Sequence, residues 1–136
     1  MKTIMPKQLK NEDRKWYSVD ATGLTLWRLS TKVANLLSGK TKVTFSPHLD
    51  NWDYVVIVNA DKISVTGNKL AGKIYYSHTG YMGGLKEISL EKLLVKKPTE
   101  ALRKSVNWML PKNKLRKWMM ARLKLVAGAE HTFGAQ

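Results

Sequence analysis

The residues best equipped for chemistry in this chain are cations. Between Lys96 and Lys124 stand Lys96, Lys97, Arg103, Lys104, Lys112, Lys114, Arg116, Lys117, Arg122 and Lys124, against one carboxylate, Glu100. A solvated helical face normally mixes both signs. An array of one sign suits a polyanion. Each Lys or Arg can neutralise one phosphate, and the counterions released make such binding strong and salt-sensitive. A second group is the stretch His78-Thr79-Gly80-Tyr81-Met82-Gly83-Gly84-Leu85-Lys86. Its glycines let the backbone approach a sugar-phosphate chain closely, while His78 and Tyr81 can stack on bases or hydrogen-bond to them. Lys69, Lys73 and Lys86 supply charge around it. Tyr75 and Tyr76 read as strand packing.

Other chemistries fit poorly. Gly80-Tyr81-Met82-Gly83 spells the GXXG of a KH domain, but that loop must join two helices and this one follows a strand. Thr66-Gly67-Asn68-Lys69 lacks the glycine and Lys-Ser/Thr spacing of a P-loop. His48, His78 and His131 have no metal-ligand spacing, and without cysteine there is no thiolate ligand, Cys nucleophile or disulfide. Asp50 and Asp53 form a possible carboxylate pair, yet they stand just before a strand, where loop capping is the expected role. No Gly-x-Ser-x-Gly supports a serine nucleophile. The expectation is therefore no catalytic residue, no metal, no cofactor and no small-molecule substrate.

Bulk properties agree. A chain of 136 residues is expected to form one domain with its own core. A net charge of +14 and a pI near 10.1 impose self-repulsion that a polyanionic partner relieves. Nucleic acid leads, with an anionic membrane surface second. Membrane binding needs an amphipathic helix beside the lysines. Leu115, Trp118 and Met119 come nearest, on a short stretch expected to pack inward, so no membrane partner is expected.

The elements that must position these residues follow from pattern. Tyr54-Val55-Val56-Ile57-Val58-Asn59 is the longest β-branched apolar run and predicts a strand covered on both faces. Lys62 to Thr66 alternates and predicts a half-exposed strand. Gly67-Asn68-Lys69 and Gly72-Lys73 read as charged turns, and Ile74 to Ser77 as a short strand. Upstream, residues 1–15 read as a loose basic arm, and Trp16 to Val19 as a strand. Leu26, Leu29, Val33, Leu36 and Leu37 fall at helical spacing, with Thr25 as N-cap and Gly39 past the end. Val43-Thr44-Phe45 predicts a short strand. Ser89 caps a helix holding Leu90, Leu93 and Leu94. Thr99 caps another with Leu102, Val106 and Met109, after an interruption at Pro98. Pro111 stiffens a basic corner, Leu115 to Met120 predicts a helix, and Leu123 to Val126 a last strand. Strands interleaved with helices give an α/β layer fold with an at least partly parallel sheet.

Many short motifs, in order from Trp16 to Gln136, also resemble one family. They are Trp16-Tyr17 with Asp20-Ala21-Thr22-Gly23, Arg28-Leu29, Leu37-Ser38-Gly39-Lys40, Pro47-His48 with Asp50 and Asp53, Asn59-Ala60, Thr66-Gly67-Asn68-Lys69, Tyr76 with His78-Thr79-Gly80-Tyr81, Gly83-Gly84, Met109-Leu110-Pro111-Lys112, and Gly128 with Glu130-His131. The chain is similar in these to the bacterial large-subunit ribosomal protein L-thirteen family. The resemblance implies a three-layer α/β/α single domain over residues 16–136, around a small, largely parallel sheet. It implies a cytoplasmic, non-catalytic role in the large ribosomal subunit: binding its RNA beside neighbouring ribosomal proteins, early in assembly. The RNA-binding residues expected from charge, loop chemistry and resemblance together are Lys69, Lys73, His78, Tyr81, Lys86, Lys112, Lys114, Arg116, Lys117, Arg122, Lys124 and His131.

Three positions depart from the family. Trp27, Trp52 and Trp108 stand where it has glycine. Glycine implies close packing or unusual dihedrals, and Trp is the largest replacement possible. Overpacking costs roughly 1–3 kcal/mol per site, so three independent swaps are hard to absorb. One reading is a gene whose opal codons mean glycine, translated with a table that reads them as Trp. The other is three exposed Trp residues that stack on RNA bases.

Overall fold

The computed structural model describes residues 6–134. After a 3-10 turn at Asn11–Asp13 come β1 (Trp16–Asp20), α1 (Leu26–Ser38), β2 (Tyr54–Val58), α2 (Lys69–Gly72), β3 (Ile74–His78), β4 (Leu85–Ser89), α3 (Leu90–Lys96), α4 (Pro98–Met109), α5 (Arg116–Ala121) and β5 (Leu123–Leu125). The architecture is α/β, built on a small parallel sheet in the order β1-β2-β5. β2 is its centre, as the β-branched run requires. Trp16 pairs with Tyr54 on one side of it and Leu123 with Val55 on the other. Val55 and Ile57 share one core cluster with Leu29, Val33 and Leu37 of α1, Leu102 and Val106 of α4, and Met119 of α5. Val56, on the opposite face, is fully buried as well, so β2 is closed on both sides.

α1 follows its stripe. Leu26, Leu29, Val33 and Leu37 are buried while Arg28 and Lys32 face solvent. Thr25 occupies the N-cap position with extended backbone, but its side chain makes no capping bond. Gly39 ends the helix at φ 71°, its N–H donating to the Leu36 carbonyl. A Cβ here would sit 3.0 Å from the Asn51 carbonyl oxygen, so both the left-handed backbone and the close approach select glycine.

Several expected elements take another form. Val43-Thr44-Phe45 is a run of turns, because Lys42 N–H donates to Gly39 and Phe45 N–H to Lys42. The Lys62–Thr66 stretch makes only a single bridge, Ser64 with Thr25. Its polar main chain instead closes the loop before α1: Gly23 N–H donates to the Lys62 carbonyl and Ser64 N–H to the Leu24 carbonyl. Lys69–Gly72, with Asn68 at its N-cap position, is one turn of helix rather than a turn pair. Leu85 and Lys86, expected in the glycine-rich loop, open a strand, Leu85–Ser89, paired antiparallel with β3, so the glycine-rich segment is the tip of a hairpin. Ser89 caps α3 as expected, accepting from Lys92 N–H. α4 starts one residue before Thr99, with Pro98 at its first position, where the missing N–H costs nothing.

Of the expected arm, residues 1–5 lie outside the described residues. Its second half is fastened rather than loose. Leu9 N–H donates to Asn51 Oδ1 at 2.9 Å, and Asn51 Nδ2 donates to the Lys7 carbonyl. Lys15 N–H donates to Asp53 Oδ1, and the Arg14 side chain is buried.

Candidate nucleic-acid interface

α4 and α5 both line an open groove of about 900 Å³. Arg103, Lys104 and Asn107 line it from α4, Arg116 and Lys117 from α5, and Asn113 and Lys114 from the corner between them. Glu100 is its one carboxylate. The sequence produces this placement simply. Ala101, Leu102 and Val106 bury one side of α4, which turns Arg103 and Lys104 outward; Met119 does the same for α5. Among the described residues the ion pairs are Arg14–Asp50, Lys42–Asp53 and Arg122–Asp50, so none involves a groove cation. Five like charges around one concavity raise its local potential and attract an anion.

The cationic surface continues past the groove. The Lys104 and Lys73 ammonium groups lie over the Tyr75 ring, at 5.1 and 5.7 Å from its centre. Burial pushes the Tyr75 hydroxyl above its ordinary pKa. Lys69 lies over the Trp27 ring at 4.5 Å, and the pair shares an open hollow of about 520 Å³ with Asn68 and Lys73. These rings hold the ammonium groups in place while leaving them accessible. Arg103 and Lys104, which the expected set omits, thus join α5 to α2. Their exposed side of an amphipathic helix is the sequence signal for them.

The other expected residues scatter. Lys112 stands over the Trp108 ring at 5.4 Å, outside the groove. Lys124 lines a smaller adjoining hollow with Arg103 and lies over the Phe133 ring. His131 stacks against Phe133 and its Nδ1 is buried. Tyr81 is 80% exposed at the hairpin tip. His78 closes β3, its Nδ1 accepting the Gly80 N–H at 2.9 Å, and Lys86 is exposed on β4. Arg122 is engaged within the chain. It donates from Nη2 to Asp50 Oδ2 at 2.6 Å and from Nη1 to the Trp52 carbonyl, with its guanidinium over the Trp52 and Tyr54 rings. An internal ion pair satisfies this charge. Of the two carboxylates, Asp53 accepts the Lys15 N–H, as capping requires, and also anchors Lys42, while Asp50 anchors Arg14 and Arg122.

The three tryptophans differ in setting. Trp52 is 1% exposed, Trp27 is half-buried, and Trp108 is 79% exposed. None stands at positive φ. Stacking on bases is therefore closed to Trp52 and open to Trp108.

Comparison with known proteins agrees with the motif resemblance. The family described as Ribosomal protein L13 matches residues 14–132. "Large ribosomal subunit protein uL13" of Clostridioides difficile (strain 630) is 58% identical over 123 residues, covering 90% of this chain and 86% of that protein. Proteins of the same description from Pelobacter propionicus and Idiomarina loihiensis are 52% and 51% identical over 136 residues, covering all of this chain and 95% of each relative. The chain belongs to the ribosomal protein L13 family.

Proposed function

We propose that this chain is a structural constituent of the large ribosomal subunit in the cytoplasm, that it binds the subunit's RNA, and that it supports early assembly. The observation that carries the RNA reading is the α4–α5 groove, where five cations face one concavity without an ion-paired carboxylate. An A-form duplex or a folded loop presents phosphates that such a groove can neutralise several at a time. Lys69 and Lys73 extend the contact, and Tyr81 at the hairpin tip offers a face to an unpaired base. Neighbouring ribosomal proteins complete the surroundings. Catalysis has no support in the site: the two candidate carboxylates are each engaged by basic side chains.

The test is filter binding of the full chain to large-subunit ribosomal RNA at two salt concentrations. Neutralising Lys112, Lys114, Arg116 and Lys117 to Gln is compared with neutralising Lys2, Lys7 and Lys10. Lys2 lies outside the described residues. The first set should weaken binding more per charge, because Lys114, Arg116 and Lys117 line one groove and can neutralise adjoining phosphates together, whereas Lys7 and Lys10 lie outside it. It should also lower the salt slope by up to about 0.9 for each phosphate that is no longer neutralised. Circular dichroism checks that both variants fold. Equal losses per charge would mean a diffuse positive field, and the groove would lose its assignment.

A further inference from the structure

The hairpin of β3 and β4 sorts its side chains by face. Ile74 pairs with Ser89, Tyr76 with Glu87 and His78 with Leu85 on one side; Tyr75 pairs with Ile88 and Ser77 with Lys86 on the other. The Tyr75–Ile88 side packs on the cluster of Leu90, Leu93 and Ala101. The hairpin's cations belong to that side: Lys86 by its register, Lys73 by its seat over Tyr75. The opposite side faces solvent. Tyr76 is 62% exposed, Leu85 56% and Ile74 38%. Its one charged side chain is the carboxylate of Glu87. His78 adds no Nδ1 donor there, because that nitrogen accepts from Gly80.

We propose that this outer face is a docking surface for a protein that lays apolar side chains on Tyr76 and Leu85 and a Lys or Arg on Glu87. The proposal rests on the ribosomal reading, since the partner is then another large-subunit protein. Charge decides between protein and RNA. A polyanion on this face meets a carboxylate and no cation, whereas a basic protein finds both an apolar seat and a counter-charge. Exposed apolar surface of this kind marks interfaces, in which Tyr is enriched. A two-stranded ribbon is marginal on its own and gains order when its second face is covered.

The experiment places a photoreactive benzophenone amino acid at Tyr76 or, separately, at Ser77 of the full chain in cells. Large subunits are then purified, irradiated and digested to identify the adducts. Position 76 is expected to capture a ribosomal protein, and position 77, on the cationic side, ribosomal RNA. Adding Glu87→Lys to the Tyr76 probe should cut the protein adduct about tenfold or more, as loss of a charge pair at a desolvated contact does. An adduct of position 76 with RNA or with a second copy of this chain, no adduct, or a protein adduct indifferent to Glu87→Lys overturns the docking surface. Failure of the unsubstituted chain to sediment with the subunit is a different result, and it overturns the ribosomal reading together with the proposal built on it.

Discussion

Arg122 grips Asp50 across 72 residues of chain, with Nη2 of the arginine 2.6 Å from Oδ2 of the carboxylate. Arg14 reaches the same carboxylate, with its Nη1 2.7 Å from Oδ1. Both arginines also donate to the Trp52 carbonyl at 3.2 Å. Arg14 stands just before β1, Asp50 and Trp52 just before β2, and Arg122 just before β5. One carboxylate thus latches together the N-terminal ends of all three parallel strands. Such an end is where a parallel sheet has no hairpin to hold it.

The latch predicts an order of mutational effects. Asp50→Asn leaves two guanidinium groups without their counter-charge and should cost about 3 kcal/mol, the low end for a broken buried pair because these groups retain slight exposure. Arg122→Gln leaves Asp50 with Arg14 and should cost less. Urea unfolding of both variants at pH 7 measures this; an equal or smaller loss for Asp50→Asn would show that the latch is not shared.

The same carboxylate predicts acid sensitivity. Burial raises the Asp50 pKa, but the hydrogen bonds and charges of Arg122 and Arg14 outweigh it and hold the value at about 2, below the ordinary 3.8. A folded-state pKa below the unfolded one gives stability that is complete above about 3.8 and lost as pH falls through about 2. Thermal unfolding of the unsubstituted chain should therefore weaken between pH 4 and pH 2. In Asp50→Asn the part due to this group should be missing from that window, and an unchanged pH profile would exclude the linkage.

At the other end of the sheet, Asn59 stands at φ 53° and donates its side-chain amide to Asp20 at 3.0 Å. Asn tolerates the left-handed region that most side chains avoid. The Asn59 bond, followed by those from the Thr22 main chain and hydroxyl, holds Asp20 at about 2. Asn59→Ala should raise the Asp20 pKa toward 3.8, readable by NMR titration of its carboxyl carbon. Asn59→Gly loses the same bond but escapes the backbone strain, so it should be more stable than Asn59→Ala by about 1 kcal/mol.

Legibility in the sequence followed the physics of each element. β2 was readable because an unbroken β-branched run has no other easy home, and α1 because its stripe and Gly39 agree. β4 was not, since Lys86-Glu87 interrupts any alternation and only the pairing with β3 makes it a strand. Val43 to Phe45 carries strand residues but spends its main chain on turns. At the site, charge density located α4 and α5, yet composition cannot tell a free cation from an engaged one. Arg122 lies in the same basic run as Arg116, and only the fold brings Asp50 to it. Conversely, Arg103 and Lys104 needed the buried side of α4 to show which way they point.

The tryptophans supply the last prediction. The motif resemblance puts glycine at 27, 52 and 108, and the structure shows what glycine there would change. Trp108 is largely exposed and Trp27 only half-buried, so neither truncation empties the centre of the core. Trp52 is buried, and as a native Trp its change to Gly should cost roughly 3–5 kcal/mol through the void left behind. The latch at this position nevertheless uses the main-chain carbonyl of residue 52, which glycine also has. A glycine chain therefore keeps the carbonyl that Arg14 and Arg122 share, while Arg122 loses the Trp52 ring and keeps that of Tyr54. The expected outcome is that protein isolated from the native organism has an intact mass lower than the written sequence by three Trp-to-Gly replacements, and that recombinant chain carrying all three glycines folds and sediments with large subunits. A native mass equal to that of the written sequence would sink the recoding reading and leave Trp52 as a true core residue.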